Sequence, residues 1–560
     1  MGHTSPIETF LNQHKNQLIA SGIPEIYWEI LYKKLLTQSF DAGKVLQLVR
    51  VEYDESRKPY EPVWAVQAIT DLNKNDPDNI FLIDHAWTYE ISKAKAHLQY
   101  DPIRFRMAKI LGIDVNLPKE ELIDKIFDNM WRINSSYSVK NVEGTEQSLI
   151  WYVMDEVGSS LTHSDTPNCR VVPFIYLNEG MYSLLFMQEN IEQGELLYRD
   201  FAEGVRDPVL RKATLLPWIP NTFEDVPIQP TLADPDYYLS GHISETLPDL
   251  EKLTGEQQTK EKYSCFAQYS LVRKYLTDPK FSLTDNEDEA DIWWLTEHFR
   301  DFKMLSKTPT KFVNQFPYED NQELAPWFPI TYNLVTEVGN FASYFQKREE
   351  DGLENFWIIK PYNLARGPKI AQKYITKPVL FYRDDCEGRV KFDVRYVILL
   401  KSVKPLQVYV YKNFFLRFAN KPFSLDNFED YEKHFTVMNY TENATLKHMK
   451  CADFITDWEK QYSLYAWSDV EGKIMTMIKD IMECAITSPP PCGIAHSPQS
   501  RALYAADLML EWDNNEIQPK ILEINFMPDC ERACNYYPNF YNNIFKLLFL
   551  NEENDIFYKL

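Results

Sequence analysis

No run of about 18 consecutive apolar residues, the length a membrane-spanning helix needs, occurs in the 560-residue chain. The opening MGHTSPIETFLNQHKNQ carries neither a signal peptide's apolar core nor an Arg-rich amphipathic pattern, so a soluble, intracellular protein is expected. Cysteine is sparse and badly spaced for bridging. Eight are present, only Cys169 lies in the first 264 residues, and no C-x-x-C occurs. A disulfide framework in the N-terminal half is therefore excluded, a structural zinc site is disfavoured, and the cysteines read as free thiols. Positive charge is also short: 59 Lys and Arg against 82 Asp and Glu leave a net charge of −23, which opposes nonspecific nucleic-acid binding. The deficit is uneven, because residues 351–450 hold 17 basic against 11 acidic side chains while the rest hold 42 against 71. One basic segment in an acidic protein points to a local anion site, for a nucleotide or for the acidic tail of a protein partner.

Core material is ample: 44% of residues are hydrophobic and 80 are aromatic, enough for two or three domains. Residues 8–37 have helical apolar spacing broken at Pro24, which predicts two short helices within an N-terminal segment, 1–55. FLIDHAWTY at 81–89 predicts a strand, and 103–111 and 118–133 predict helices. SLIWYVM, VVPFIYL, MYSLLFMQ and ELLYRDF, between Gly144 and Phe201, predict further strands separated by turn residues. Residues 217–259, with six prolines and many acids, form the best linker candidate. Beyond it strands and helices alternate, as in an α/β or α+β domain.

The stretch Leu503–Cys530, LYAADLMLEWDNNEIQPKILEINFMPDC, reads as a β-hairpin. With its turn near Asn514 and Asn515, Asp507 falls opposite Glu523 to within one residue, and Asn525 shares a face with Glu523. Two carboxylates and an amide oxygen on one patch make a hard-oxygen site that suits magnesium beside nucleotide phosphates. The same pattern also fits a hairpin with a polar, solvent-facing edge. In KFDVR, Lys391, Asp393 and Arg395 project from one face while Val390, Phe392 and Val394 pack on the other. Such a row can hold a triphosphate, or it can be an exposed strand with cross-strand ion pairs. Upstream, NFWIIKP ends at Lys360, and AQKYITKP offers backbone groups that can pair with an adenine edge; Arg417 adds a cation.

Two resemblances organise these pieces. THSDTPNCR followed by IEQGELLYRDF is similar to the closing half of a SET domain, the lysine-methyltransferase fold, through His163, Ser164, Pro167 and Asn168, then Gly194, Glu195, Leu196 and Asp200. The departures bear on chemistry: Thr162 stands where the family's cofactor-serving asparagine belongs, Asp165 replaces a cysteine, Phe201 replaces the active-site tyrosine, and residues 56–216 contain no G-x-G. A phenyl ring has no hydroxyl to orient a lysine amine, so methyl transfer is not expected. The order Lys360, QKYI, KFDVR, Arg417, Asp507 and EIN at 523–525, with VNQFPYE at 313–319, resembles the tubulin tyrosine ligase-like family of ATP-grasp enzymes. Together they imply an α+β multidomain chain: a β-rich SET-like domain at 56–216, then an α/β ATP-grasp domain at 260–560.

The second resemblance implies ATP and magnesium as cofactors. Lys360, Gln372, Lys373, Tyr374, Ile375, Lys391 and Asp393 would serve the nucleotide, and Asp507, Glu523 and Asn525 the metal. Arg395 and Arg417 would hold a carboxylate or phosphate by bidentate contacts in catalysis. It also implies tubulin as partner, with the cytoplasm, the nucleus and microtubule structures as compartments. The family's glycine-rich phosphate loop is depleted, since KPYNLARGPKIAQKYI keeps only Gly367, and in HFTVMNY the asparagine of the family's H-L-T-N run slips to Asn439, leaving His434 and Thr436. A regulator of tubulin modification with weak or no ligase activity is therefore expected, ahead of an active amino-acid ligase on protein carboxylates. A third option is a binder of histone tails through the SET-like half, where residues 1–250 carry 37 acids against 22 bases.

Overall fold

The apolar spacing near the N-terminus yields two helices, Pro6–Ala20 and Trp28–Thr37. The first closes on Gly22, at a φ of 65° that only glycine adopts without strain, ahead of Pro24. The structure is a computed structural model and describes every residue except 1–5, 54–57, 59–60, 141–146, 178–179, 232–235, 237–238, 240–243, 254–259, 319–326, 362–367, 429 and 438–445. It divides at Pro227 and Ile228 into an N-terminal and a C-terminal unit.

In the N-terminal unit the two helices cover an antiparallel sheet of Ile80–Ile83, Gly180–Met187 and Cys169–Tyr176, burying Phe10, Leu31 and Leu35 against Leu82, Phe174 and Leu184. Pro173 is tolerated because its strand lies at the sheet edge. FLIDHAWTY does not form one strand. It breaks at Asp84 into Ile80–Ile83 and His85–Tyr89, and the second half joins a different sheet with Gln147–Met154 and Asn134–Lys140. A chain that leaves one layer for another must give up its alternation at the crossing, and periodicity alone does not reveal where. ELLYRDF likewise shortens to Tyr198–Arg199, which pairs in parallel with Thr162–His163.

The proline-rich stretch is divided between the two units at Pro227 and Ile228. Phe223 is buried, the Tyr332 hydroxyl donates to the Ile228 carbonyl, and Glu245 is buried with one carboxylate oxygen 2.8 Å from His298 Nε2.

The C-terminal unit is built on a sheet ordered Glu516–Phe526, Ala502–Asp513, Phe392–Ser402, Gln407–Tyr411 and Phe557–Lys559, with Phe415–Phe418 also paired to the Phe392–Ser402 strand. Both faces are covered. Helices Cys451–Gln461 and Trp467–Ala485 bury Phe454, Trp458 and Ile474 against the even-numbered residues of Phe392–Ser402. On the other face Val397 and Leu399 pack with helix Phe540–Leu550 and with a parallel sheet of Phe281–Leu283, Tyr263–Ala267, Ile292–Trp294 and Phe312–Val313. A smaller antiparallel sheet, Thr331–Asn333, Pro368–Lys373 and Trp357–Pro361, is backed by helix Val338–Glu350 through Tyr332, Phe341 and Trp357. Among the described residues no helix is long and apolar enough to cross a membrane, and all eight cysteines are free thiols.

Candidate active site

The Phe392–Ser402 strand is apolar on both faces for most of its length, yet Lys391, Asp393 and Arg395 occupy its first positions on one of them. The strand order carries that polarity sideways. Asp393 lies opposite Arg417, Arg395 opposite Asp507, and Asp507 opposite Glu523, so four strands place their charged residues in one row. The hairpin turn falls at Asn514 and Asn515, both with positive φ (47° and 65°), as a two-residue turn between right-twisted strands requires.

A β-bulge separates the site from the hairpin's outer part. Asp507 pairs with Glu523 but Leu508 pairs with Ile521, which leaves Leu522 as the extra residue. Ile517 and Ile521, odd-numbered, face the core before the bulge; Ile524 and Phe526, even-numbered, face it afterwards. This change of parity turns Glu523 and Asn525 out of the core toward Asp507. The Leu522 carbonyl accepts from Lys360 Nζ at 3.4 Å.

The row is dry. Asp393 is 0% exposed, Asp507 1% and Lys391 3%. Arg395 grips Asp507 with two bonds, Nε to Oδ1 at 2.6 Å and Nη2 to Oδ2 at 2.7 Å, and Arg417 Nη2 adds a contact at 2.9 Å. Arg417 Nε also donates to both oxygens of Asp393, at 2.8 and 3.0 Å, and the Thr436 hydroxyl donates to Asp393 Oδ2. Burial drives the Asp507 carboxyl upward, but the hydrogen bonds and charges of Arg395 and Arg417 outweigh it and hold the group below the usual carboxylate range. For Asp393 burial prevails over the pull of Arg417 and raises it. The polar row is thus neither a solvent-facing strand nor an open anion cradle, because a central strand covered on both faces buries whatever it carries.

Asn525 Nδ2 lies 3.0 Å from Glu523 Oε1 and 3.4 Å from Asp507 Oδ2. Asp507, Glu523 and Asn525 are therefore brought together, the first two in the register their hairpin pattern predicts. Their donor chemistry suits a hard cation, but their present engagement does not. The Asp507 oxygens are bound to guanidinium groups, and the Asn525 amide turns its NH₂ toward two acceptors, leaving its oxygen facing away. Among the described residues no group of three His, Cys, Asp or Glu side chains stands ready for a metal. A divalent ion here would compete with Arg395 and Arg417 for the Asp507 oxygens, and Asn525 would offer its oxygen only with its amide turned over.

Lys391 Nζ donates to the Tyr374 hydroxyl at 2.9 Å and sits 4.2 Å from that ring's centroid. Tyr374 bonds His434 Nδ1 at 2.8 Å, and His434 Nε2 lies 3.2 Å from the Asp426 carbonyl. A carbonyl only accepts, so Nε2 carries the proton and Nδ1 accepts from the tyrosine. Burial lowers Lys391 from the ordinary 10.5 to about 7, against the opposing charge of Asp393. In the unfolded chain the amine is protonated below about 10.5, so stability falls as pH drops from there toward 7 and levels off below. Lys391→Met is expected to raise the melting temperature most at pH 7, by at most about 5 kcal/mol of stability, and progressively less toward pH 10. Melting curves across that range check it; a gain independent of pH would speak against it.

On the small sheet Lys360 Nζ donates to Gln372 Oε1 at 2.8 Å, and Gln372 Nε2 to Thr331 Oγ1 at 3.1 Å. Burial lowers Lys360 below the usual lysine range, against the charges of Glu523 and Asp507. The QKYI run divides by strand alternation. Gln372 shares a face with Lys360; Lys373 turns to the other, donating to the Glu354 carbonyl at 2.6 Å over the Trp357 ring; Ile375 is buried. Burial, reinforced by the charge of Arg348, takes Lys373 down to about 8. Gly367 and Asn439 lie outside the described residues.

Beside the row opens a cavity of about 240 Å³ whose lining includes Arg395, Arg417, Lys447, Arg532, Asp529 and Thr436. Four cations face one carboxylate, so the cavity suits an anion. Arg532 is held by a bond to the Leu416 carbonyl at 2.7 Å. Sequence reasoning passed over Arg532 and Lys447; the one signal was the basic excess of residues 351–450, which contains Lys447.

The sequence has known relatives. The mouse (Mus musculus) Tubulin--tyrosine ligase-like protein 12 is 39% identical over 613 residues, covering 98% of this chain and 96% of that protein. The chain belongs to the tubulin-tyrosine ligase family. Its Caenorhabditis elegans counterpart of the same name is 35% identical over 657 residues, covering 98% and 97%. Tubulin glycylase 3E of Tetrahymena thermophila is 26% identical over 242 residues, covering 38% of this chain and 17% of that protein. The profile of the Tubulin-tyrosine ligase family matches residues 289–556, and that of the Tubulin tyrosine ligase SET-like domain matches residues 61–222. The order expected from sequence, a SET-like domain and then a tubulin-tyrosine ligase domain, is the order found, and every candidate residue from Lys360 to Asn525 lies inside the ligase match.

Proposed function

We propose that this chain is a regulator of tubulin modification, one that binds tubulin, binds ATP with Lys360, Lys391, Arg395 and Arg417 as its cationic partners, and turns it over weakly or not at all. The observation that carries the reading is the engagement of Asp507 by Arg395 and Arg417. A carboxylate held on both oxygens by guanidinium groups is a weaker ligand for the ion that offsets charge on a transferring phosphoryl group. Lys360 and Lys391 supply cations for phosphate, Gln372 and Tyr374 border the base, and the Arg417–Arg532 cavity takes the carboxylate of an acidic tail through bidentate contacts. Magnesium, when bound, would contribute charge neutralisation. The convergence of Asp507, Glu523 and Asn525 favours a second reading, an active ligase that rearranges on binding tubulin. ADP release from ATP, measured with and without tubulin for wild type and Glu523→Gln, separates the two. The regulator predicts release at background in all four samples; tubulin-stimulated release lost in Glu523→Gln would establish the ligase instead.

A further inference from the structure

The N-terminal unit has its own cavity, about 240 Å³, which the ligase reading does not use. Trp64, Leu161, Phe201 and Trp218 give it an apolar wall, and His163 and Arg199 also line it. Arg199 is the unusual member. Its Nε is fully buried and has no hydrogen-bond partner, and among the described residues its guanidinium has no ion pair; its charge meets the face of Phe201, 4.8 Å from the centroid. Burial holds Arg199 below the usual guanidinium range, and no carboxylate offsets it. His163 adds a second unmet donor. Its Nδ1 accepts the Phe201 N–H at 3.1 Å, so Nε2 carries the proton, yet Nε2 is buried and makes no hydrogen bond; the closest carboxylate oxygen, on Asp165, is 3.5 Å away. The carboxylates that could serve are committed elsewhere. Arg211 binds both Asp165, at 2.6 Å, and Asp200, at 2.9 Å, and Glu61 accepts the Lys58 N–H at 2.6 Å.

A buried cation with no counter-charge is costly and is ordinarily paired. Here two donors and a largely apolar wall share one cavity, smaller than the roughly 300–1,000 Å³ of a drug-sized site. The guanidinium repels a lysine ammonium or a sulfonium, the positively charged reactants of a methyltransferase, so the ligand's charge is the opposite of what a working SET domain would take. We propose that this cavity binds a small monocarboxylate with an aromatic or branched aliphatic body, its carboxylate on Arg199 and His163 and its body against Trp64, Leu161, Phe201 and Trp218.

The test is calorimetric titration of the full chain with 3-phenylpropionate and 4-methylpentanoate, each beside its neutral amide. The acids are expected to bind at least about tenfold tighter than the amides, a charge-assisted hydrogen bond's worth of discrimination. Arg199→Leu is expected to abolish that preference, and Arg199→Lys to keep part of it. The acid-against-amide comparison needs only the wild-type chain and therefore stands if a variant fails to fold. Trp218→Leu, in the apolar wall, is expected to weaken acid and amide alike. Absence of acid binding, equal affinity for acid and amide, or unchanged preference in a folded Arg199→Leu protein would overturn the proposal.

Discussion

Asp507→Ala is expected to be the most damaging single substitution in the C-terminal unit, costing about 3–5 kcal/mol. The loss does not come from the removed atoms. It comes from Arg395 and Arg417, which would be left in a dry row with Asp393 as their remaining buried counter-charge. Calorimetry should show the transition of this unit falling by on the order of 5–10 °C while that of the N-terminal unit stays in place. Adding Arg395→Ala should cost much less than the sum of the two single changes, because the second substitution removes a charge the first had stranded. A single-variant loss below about 1 kcal/mol would mean that water reaches these groups and the row is not a closed ion-pair network.

Arg395→Leu is expected to have the largest effect on ligand binding, and in the direction of gain. With the bidentate grip removed, Asp507 recovers Oδ1 as a free donor, and a positive charge disappears beside the Asp507, Glu523 and Asn525 patch. Affinity for Mg²⁺ or Mn²⁺ should rise by about tenfold or more, since one bidentate guanidinium–carboxylate contact is worth over about 1.4 kcal/mol. Manganese titration followed by electron paramagnetic resonance reads this directly. Equal affinity in wild type and variant would show that Arg395 yields freely to a metal, and the case for a catalytically idle site would lose its main support.

Much of this site could be read in the amino-acid order because it depends on two short-range rules. Strand alternation put Lys391, Asp393 and Arg395 on one face, and two asparagines able to adopt positive φ fixed the turn that sets Asp507 against Glu523. What stayed hidden depends on partners distant in sequence. KFDVR reads equally well as an exposed strand, and only the helices packed on both faces of its sheet decide that Asp393 is buried. Arg417 meets Asp393 across strands 24 residues apart, and Arg395 meets Asp507 across 112, separations no local pattern encodes. The split of FLIDHAWTY between two sheets was missed for the same reason; the parity change at Leu522 did leave a mark, the adjacent apolar pair Ile521 and Leu522 in KILEIN, which breaks the strand's alternation.

That extra residue has a bearing on how such a chain can change. Strand parity ties the interior packing of Ile524 and Phe526 to the outward aim of Glu523 and Asn525, and because Leu522 is the residue in excess, its deletion would let Glu523 follow Ile521 in regular alternation and leave both sets on their present faces. The bulge is thus a place where the ribbon can gain or lose a residue while the faces on either side of it keep their aim.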